Sequence, residues 1–390
     1  MGRNAGFGRR MAALAALLLA GFLIGATLAP PTFERIEIDA HPPKNPWIKI
    51  VADLKGDGRP DVIIGGAGGP LVWYANPRWT RSVIAEKGYE SVDGEAADID
   101  GDGDLDLVIG GVVWYENPRP KGDPAKDPWT PHRIGAHRTH DVEVGDLDRD
   151  GKVDVVVRGQ SGFGHKEGHR ILIWKQVTPD QWTSREVACP EGEGLKLVDL
   201  DGDGDLDIVI GARWYENSGD ILKGPWTEHV YAPAWTHGDC KVEVGDFDRD
   251  GRLDVVLSPA ELKGQTYRIA WHEAPADPKT GPWKEHVVEE SVECVVHGLG
   301  VADMDGDGAP DIVTARMHQG QGPQEVAVYL NGDKGLTWTK QAVSTRGSHN
   351  IVLADLDGDG AIDILGANHG GPFQPVEGWK NRRTAPPRGR

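Results

Sequence analysis

Seven times along the chain a nine-residue pattern recurs, Asp-x-Asp-x-Asp-Gly-x-x-Asp, followed by three or four apolar residues and usually a glycine. The copies begin at Asp53, Asp98, Asp146, Asp199, Asp246, Asp303 and Asp355, at spacings of 45, 48, 53, 47, 57 and 52 residues. A period near fifty means that one small unit is stacked against copies of itself, in a propeller, a solenoid or an array. Each unit carries four strand signals. A short run precedes the motif (Val142–Gly145) and a second follows it (Leu105–Ile109). A third contains Trp-Tyr (Trp114-Tyr115) and a fourth opens on Trp (Trp129). Runs this short, separated by Asn-Pro, Gly-Pro and Asp-Gly, read as antiparallel strands joined by turns. Four strands per unit, repeated radially, give an all-β, seven-bladed β-propeller.

The two ends of the repeat region predict how the ring closes. The last unit reaches a third strand near Trp379 and has no fourth, while residues 33–38 read as an orphan fourth strand ahead of the first motif. Joining them completes the seventh blade and removes two exposed sheet edges. One propeller over residues 30–380 is expected, with a basic, disordered tail over 381–390.

Residues 1–29 stand apart. Arg3, Arg9 and Arg10 precede an uncharged apolar run from Met11 to Ala29, the layout of an export segment, either a cleaved signal or a retained membrane anchor. The expected location is therefore outside the cytoplasm: secreted, periplasmic, or tethered through residues 11–29 and facing outward. A formal charge of −19 excludes the basic footprint of a nucleic-acid binder. Three cysteines, Cys189, Cys240 and Cys294, fall in different blades and cannot build a disulfide framework. The expected partners are a carbohydrate or an extracellular protein, with the chain itself a monomer.

The charge is concentrated in the repeats, since 29 of the 61 acids sit in the seven loops. Carboxylates packed at motif positions 1, 3, 5 and 9 repel one another unless a hard dication with several oxygen ligands joins them. Gly at position 6 permits the turn that brings a carbonyl into the shell. Structural calcium is therefore expected at six loops: Asp98, Asp100, Asp102 and Asp106; Asp146, Asp148, Asp150 and Asp154; Asp199, Asp201, Asp203 and Asp207; Asp246, Asp248, Asp250 and Asp254; Asp303, Asp305, Asp307 and Asp311; Asp355, Asp357, Asp359 and Asp363. In the first loop Lys55 replaces the second carboxylate, so its ammonium would take the ion's place. An EF-hand is excluded, because position 12 holds Ile, Val, Leu, Thr or Gly inside a strand instead of Glu.

The motifs resemble those of FG-GAP and VCBS repeat proteins, whose calcium loops join the first two strands of each blade, a design shared with integrin α-subunit heads. The resemblance covers roughly residues 33–380. It implies the propeller and calcium, and no single activity.

If every Asp loop joins first to second strand, all lie on one rim, and the opposite rim is free for other work. Six residues before each motif the series reads Trp47, Val92, His140, Glu193, Cys240, His297 and His349, and the loops after the second strands add Arg158, Glu261, Arg316, His318, Asn368 and His369. His237 and Asp239 reach the same rim. Neutral imidazoles there suit a transition metal or a general base, and Arg158 or Arg316 would hold an anion. The bland alternative is a set of wet strand ends. Twelve tryptophans follow the repeat and read as packing. Trp47 and Trp235 break register near this rim, where each would stack on a sugar or pack between blades.

Two functions follow. The first is an extracytoplasmic recognition, adhesion or carbohydrate-binding module. The second is a carbon–oxygen lyase on oxidised sugars or uronates, with His140, His297 or His349 as base and Arg158 or Arg316 holding the anion. The runs Thr139-His140 to Asp146 and Val296-His297 to Gly308 are similar to blades of the aldos-2-ulose dehydratase propeller, which implies the second.

Overall fold

A computed structural model of the protein describes residues 29–383 apart from 90–91, 111, 137–138 and 161–167. The export segment expected over residues 1–29 lies outside them except for its last residue, as does the tail beyond Arg383. Among the described residues no helix is long and apolar enough to cross a membrane.

The chain forms seven four-stranded antiparallel sheets. Six are built from consecutive strands: blades 1 to 6 occupy residues 46–85, 94–133, 141–188, 196–230, 240–293 and 296–344. The seventh takes three strands from residues 350–381 and its outer strand from Phe33–Asp39 at the other end of the chain. That strand runs antiparallel to Val376–Asn381, pairing Phe33 with Asn381 and Ile36 with Gly378. The orphan strand and the missing strand are thus one joint.

Burial explains the strand signals. The second strand of each blade is covered on both faces, as in Asp61–Gly66 and Asp254–Pro259, where every residue is buried, so it reads as an unbroken apolar run. Outer strands alternate, as in Gln181–Ala188, because one face meets solvent. The cores lie between blades: Ile48, Ile63 and Trp73 of blade 1 pack with Leu107 and Tyr115 of blade 2. Third-strand Trp73, Trp114, Trp214, Trp271 and Trp379 are each at most 2% exposed, so they are packing residues.

The motif also joins neighbouring blades. The position-9 Asp is buried and, in every loop but the first, accepts two backbone N–H groups: Asp207 takes Leu200 N at 3.0 Å and Asn217 N at 2.9 Å. Asn217 in turn donates from Nδ2 to the Leu147 carbonyl of the preceding blade at 2.8 Å. The same amide bridge recurs from Asn76 to Leu356, Asn117 to Leu54, Gln176 to Ile99, Asn331 to Phe247 and Asn381 to Met304. Ala274 stands at the equivalent place in blade 5 and has no amide to give. The acceptor is always the carbonyl of motif position 2, so the loop that gathers carboxylates also holds the ring together.

Candidate functional site

The Asp loops form one rim. Position-6 glycines adopt left-handed backbone throughout, with φ from 81° at Gly58 to 93° at Gly103, a region that costs a side-chain-bearing residue. The position-1 carboxylate organises each loop. Asp98 Oδ1 accepts Gly101 N and Asp102 N at 2.8 and 3.1 Å, and Oδ2 accepts Gly103 N at 3.0 Å. Three carboxylates converge in Asp98/Asp100/Asp106, Asp146/Asp148/Asp154, Asp199/Asp201/Asp203 and Asp246/Asp248/Asp250, with one oxygen from each inside 4.8 Å of the others. Asp148 Oδ1 is buried without a hydrogen-bond partner. Burial pushes the carboxyls of Asp106, Asp207, Asp311 and Asp363 up to about 7, so these loops are under electrostatic stress.

Ammonium groups meet part of that demand. Lys55 Nζ sits 2.9 Å from Asp57 Oδ2 and 3.3 Å from Asp61 Oδ1 in the first loop. Lys175, on the third strand of blade 3, bonds Asp148 and Asp150, and Lys279 Nζ lies 2.8 Å from Asp201 Oδ2. Lys380 Nζ lies 3.2 Å from Asp357 Oδ2. Only Lys55 was legible from the motif, because Lys175 and Lys380 reach in from third strands and Lys279 from the turn between two strands of blade 5.

The opposite rim gathers the irregular residues. His140 precedes the inner strand Asp141–Gly145, Glu193 precedes Lys196–Val198, His297 lies in Val296–Ala302, and Glu261 follows the second strand Asp254–Pro259. His140 Nε2 is 3.5 Å from Glu193 Oε2. His297 Nε2 is 3.5 Å from Glu193 Oε1 and 3.1 Å from Glu261 Oε1. Glu193 is fully buried, His297 is 2% exposed and His140 5%. From there a row of imidazoles runs outward: His140 to His297 at 5.7 Å between rings, His297 to His349 at 4.2 Å, His349 to His369 and His369 to His318 at 4.5 Å each. Trp47, partly exposed, meets His369 edge-on at 6.0 Å.

Burial keeps most of this row neutral. It drives His297 and His349 well below the usual imidazole value and takes His369 down to about 3. His140 is the exception: burial opposes its charge, but Glu193 and Asp141 overcome that and raise it. Burial also pushes the Glu261 carboxyl up to about 7.

Other expected site residues are engaged elsewhere. Arg158 is 2% exposed and donates to the carbonyls of Gly168, Gly194 and Pro190 at 3.2, 2.9 and 2.9 Å, so its fork holds loops together. Arg316 pairs with Glu293 at 2.8 Å. Trp235 is 5% exposed, with its N–H on the His237 carbonyl at 2.8 Å and its ring 4.9 Å from that of Tyr267. It is too buried to stack on a sugar and acts as packing. His237 and Asp239 each keep a buried polar atom without a hydrogen-bond partner. Cys240 is buried, its thiol pushed up to about 12 by desolvation, and stays a thiol.

One channel feature escaped the sequence reading. Lys196 Nζ lies 3.3 Å from Glu143 and 3.6 Å from Glu243, with Glu95 adding a third negative field. Each stands three residues before its motif, so a count by three would have found the ring.

An FG-GAP-like repeat model matches residues 53–109, 199–257 and 303–366. FG-GAP-like repeats in these three stretches, together with seven four-stranded blades in a ring, support an FG-GAP repeat β-propeller. No curated protein matches the chain. Among solved structures, BBS1N in complex with ARL6DN, soaked with lead, is 13% identical with a TM-score of 0.56, covering 92% of this chain and 99% of that one. A chain of the mitotic checkpoint complex is 11% identical with a TM-score of 0.56, covering 96% and 98%. At these identities the likeness is one of fold.

Proposed function

We propose that the protein is an exported, calcium-stabilised propeller that acts outside the cytoplasm as a recognition module, for a carbohydrate or an extracellular protein, through the rim opposite its Asp loops. The observation that carries this reading is the division of labour between the rims. One rim carries only repeated carboxylate loops whose oxygens suit a structural cation, whereas the other collects chemically varied groups, His237 Nε2, Asp239 Oδ1, His318 Nδ1, His349 Nδ1 and His369 Nδ1, without hydrogen-bond partners. A desolvated polar atom left unpaired costs about 1–3 kcal/mol, a cost a ligand relieves. Trp47 beside them supplies an aromatic face. Export rests on Arg3, Arg9 and Arg10 ahead of the apolar run.

Calcium fits the Asp loops on donor chemistry. All donors are oxygen, they converge, and lysine ammonium groups already stand among them as surrogate cations. Asp98, Asp100, Asp102 and Asp106, and their counterparts in the other five full loops, would hold the ion. Bound calcium would offset carboxylate repulsion and stiffen the joint between blades.

Titration calorimetry with a panel of neutral and acidic oligosaccharides tests the recognition reading. Binding by the wild type, lost in Trp47→Ala and kept in Asp102→Ala, is expected. Binding lost in Asp102→Ala with the fold intact would place the ligand on the Asp rim instead. The lyase reading keeps one supporting feature, the neutral His297 beside a Glu261 carboxyl poised near 7, which suits general acid–base work. Its anion holders, Arg158 and Arg316, are occupied. Elimination followed in the ultraviolet over uronates, abolished in His297→Ala, would favour it.

A further inference from the structure

We propose that His140, Glu193, Glu261 and His297 bind one divalent first-row transition metal, forming a clamp across blades 3, 4, 5 and 6 at the mouth of the channel. The site is distinct from the Asp loops in place, donor set and burial, and it stands whatever the rim recognises. Each of the four residues comes from a different blade, and one ligand atom from each lies within 4.8 Å of the others.

The distances are those of neighbours around a shared ion. His297 Nε2 to Glu261, His297 Nε2 to Glu193 and His140 Nε2 to Glu193 measure 3.1, 3.5 and 3.5 Å. Tetrahedral ligand atoms on bonds of about 2.0–2.1 Å stand roughly 3.3 Å apart. The 3.5 Å contact of His297 Nε2 with Glu193 Oε1 is not a hydrogen bond, since both atoms are buried and have no hydrogen-bond partner, as has Glu261 Oε2; Glu193 Oε2 accepts Gln160 Nε2 at 3.1 Å, which orients the carboxylate. Atoms that point at a common centre rather than at one another produce this pattern.

The outer groups fit as well. His297 Nδ1 lies 3.1 Å from the His349 carbonyl, so that nitrogen carries the proton and donates. Nε2 is then a lone pair facing two carboxylates, an arrangement that a cation resolves. His140 Nδ1 lies 3.2 Å from Asp141 Oδ1, which is 3.0 Å from Lys241 Nζ. The carbonyl behind His297 is the usual orienting partner of a metal-bound histidine, whereas behind His140 the Asp141 carboxylate stands close without accepting a hydrogen bond from Nδ1. Two imidazoles and two carboxylates suit zinc, manganese or cobalt better than calcium, and a dication matches the two negative charges. Four ligands from four blades would restrain the curvature of this half of the ring.

Cobalt provides the probe. The full chain, stripped with chelator and then saturated with calcium, is titrated with Co²⁺ and followed by visible absorption, with zinc added last. One equivalent of cobalt giving d–d bands that zinc displaces, and a melting temperature raised by zinc in excess calcium, are expected. Glu193→Gln and His297→Ala should each weaken cobalt binding at least about tenfold while keeping the wild-type calcium complement. Glu261→Gln serves in place of either variant that fails to fold. Absence of cobalt bands in the calcium-saturated wild type would overturn the proposal, as would equal uptake by wild type and folded variants.

Discussion

Histidine shows how one residue type divides between packing and chemistry. His132, His229 and His286 lie flat on Trp114, Trp214 and Trp271 at 4.2, 4.4 and 4.1 Å, and each reaches a glutamate within 2.9 Å. They face those tryptophans across paired strands, so the repeat places them. His140, His297 and His349 belong instead to the irregular series ahead of the motifs, and that departure from the repeat was readable in the sequence. What Arg158 and Arg316 do was not readable, because their partners are backbone carbonyls and a glutamate brought in by loop folding. A test at this scale concerns Glu143, whose carboxyl burial drives up to about 7 with Lys196 opposing and Glu243 and Asp93 reinforcing. The unfolded carboxyl ionises from about 4.5 while the folded one keeps its proton to about 7, so between these values folding must take up a proton and above them it buries a charge. Stability from this group is full below about 4.5, is lost as pH rises toward about 7, and stays lost above. Glu143→Gln is expected to narrow the drop in urea midpoint between pH 5 and pH 8. An unchanged drop would assign it to other groups.

Among the elements, the loop and the third strand act together. The motif aspartates were legible because they repeat in sequence. The amide that follows the Trp-Tyr strand repeats as well, at Asn76, Asn117, Asn217, Asn331 and Asn381, yet its reach to the neighbouring blade depends on packing that only the closed ring supplies. Asn217→Ala removes the bonds to Leu147 and Leu206 and leaves their carbonyls short of a donor. A loss of about 2 kcal/mol in chemical denaturation is expected, and a loss below about 0.5 kcal/mol would show the bridge to be incidental. Asp102→Ala should remove one bound calcium and lower the melting temperature while leaving the cobalt site intact. Loss of cobalt binding in that variant would show that the two rims are not independent.

Across the whole molecule, the count of seven followed from the motifs, and the closing joint followed from an orphan strand at one end and a missing fourth strand at the other. Closure matters energetically, since it pairs Phe33–Asp39 with Val376–Asn381 and so protects two sheet edges. Removing residues 33–39 should open blade 7 and produce aggregation on light scattering. A monomeric, fully folded product would refute the role given to that strand. The channel mouth was only partly foreseen, because its members converge from separate blades and no spacing in the chain records that convergence.

The account turns on the Asp rim as a set of ion sites that stabilise the ring and leave the other rim free. Equilibrium dialysis of the full chain against calcium tests it most directly. About six ions per chain are expected, one for each loop with all four carboxylates and none where Lys55 stands. No calcium retained at millimolar concentration, or retention with a melting temperature indifferent to its removal by EDTA, would contradict it.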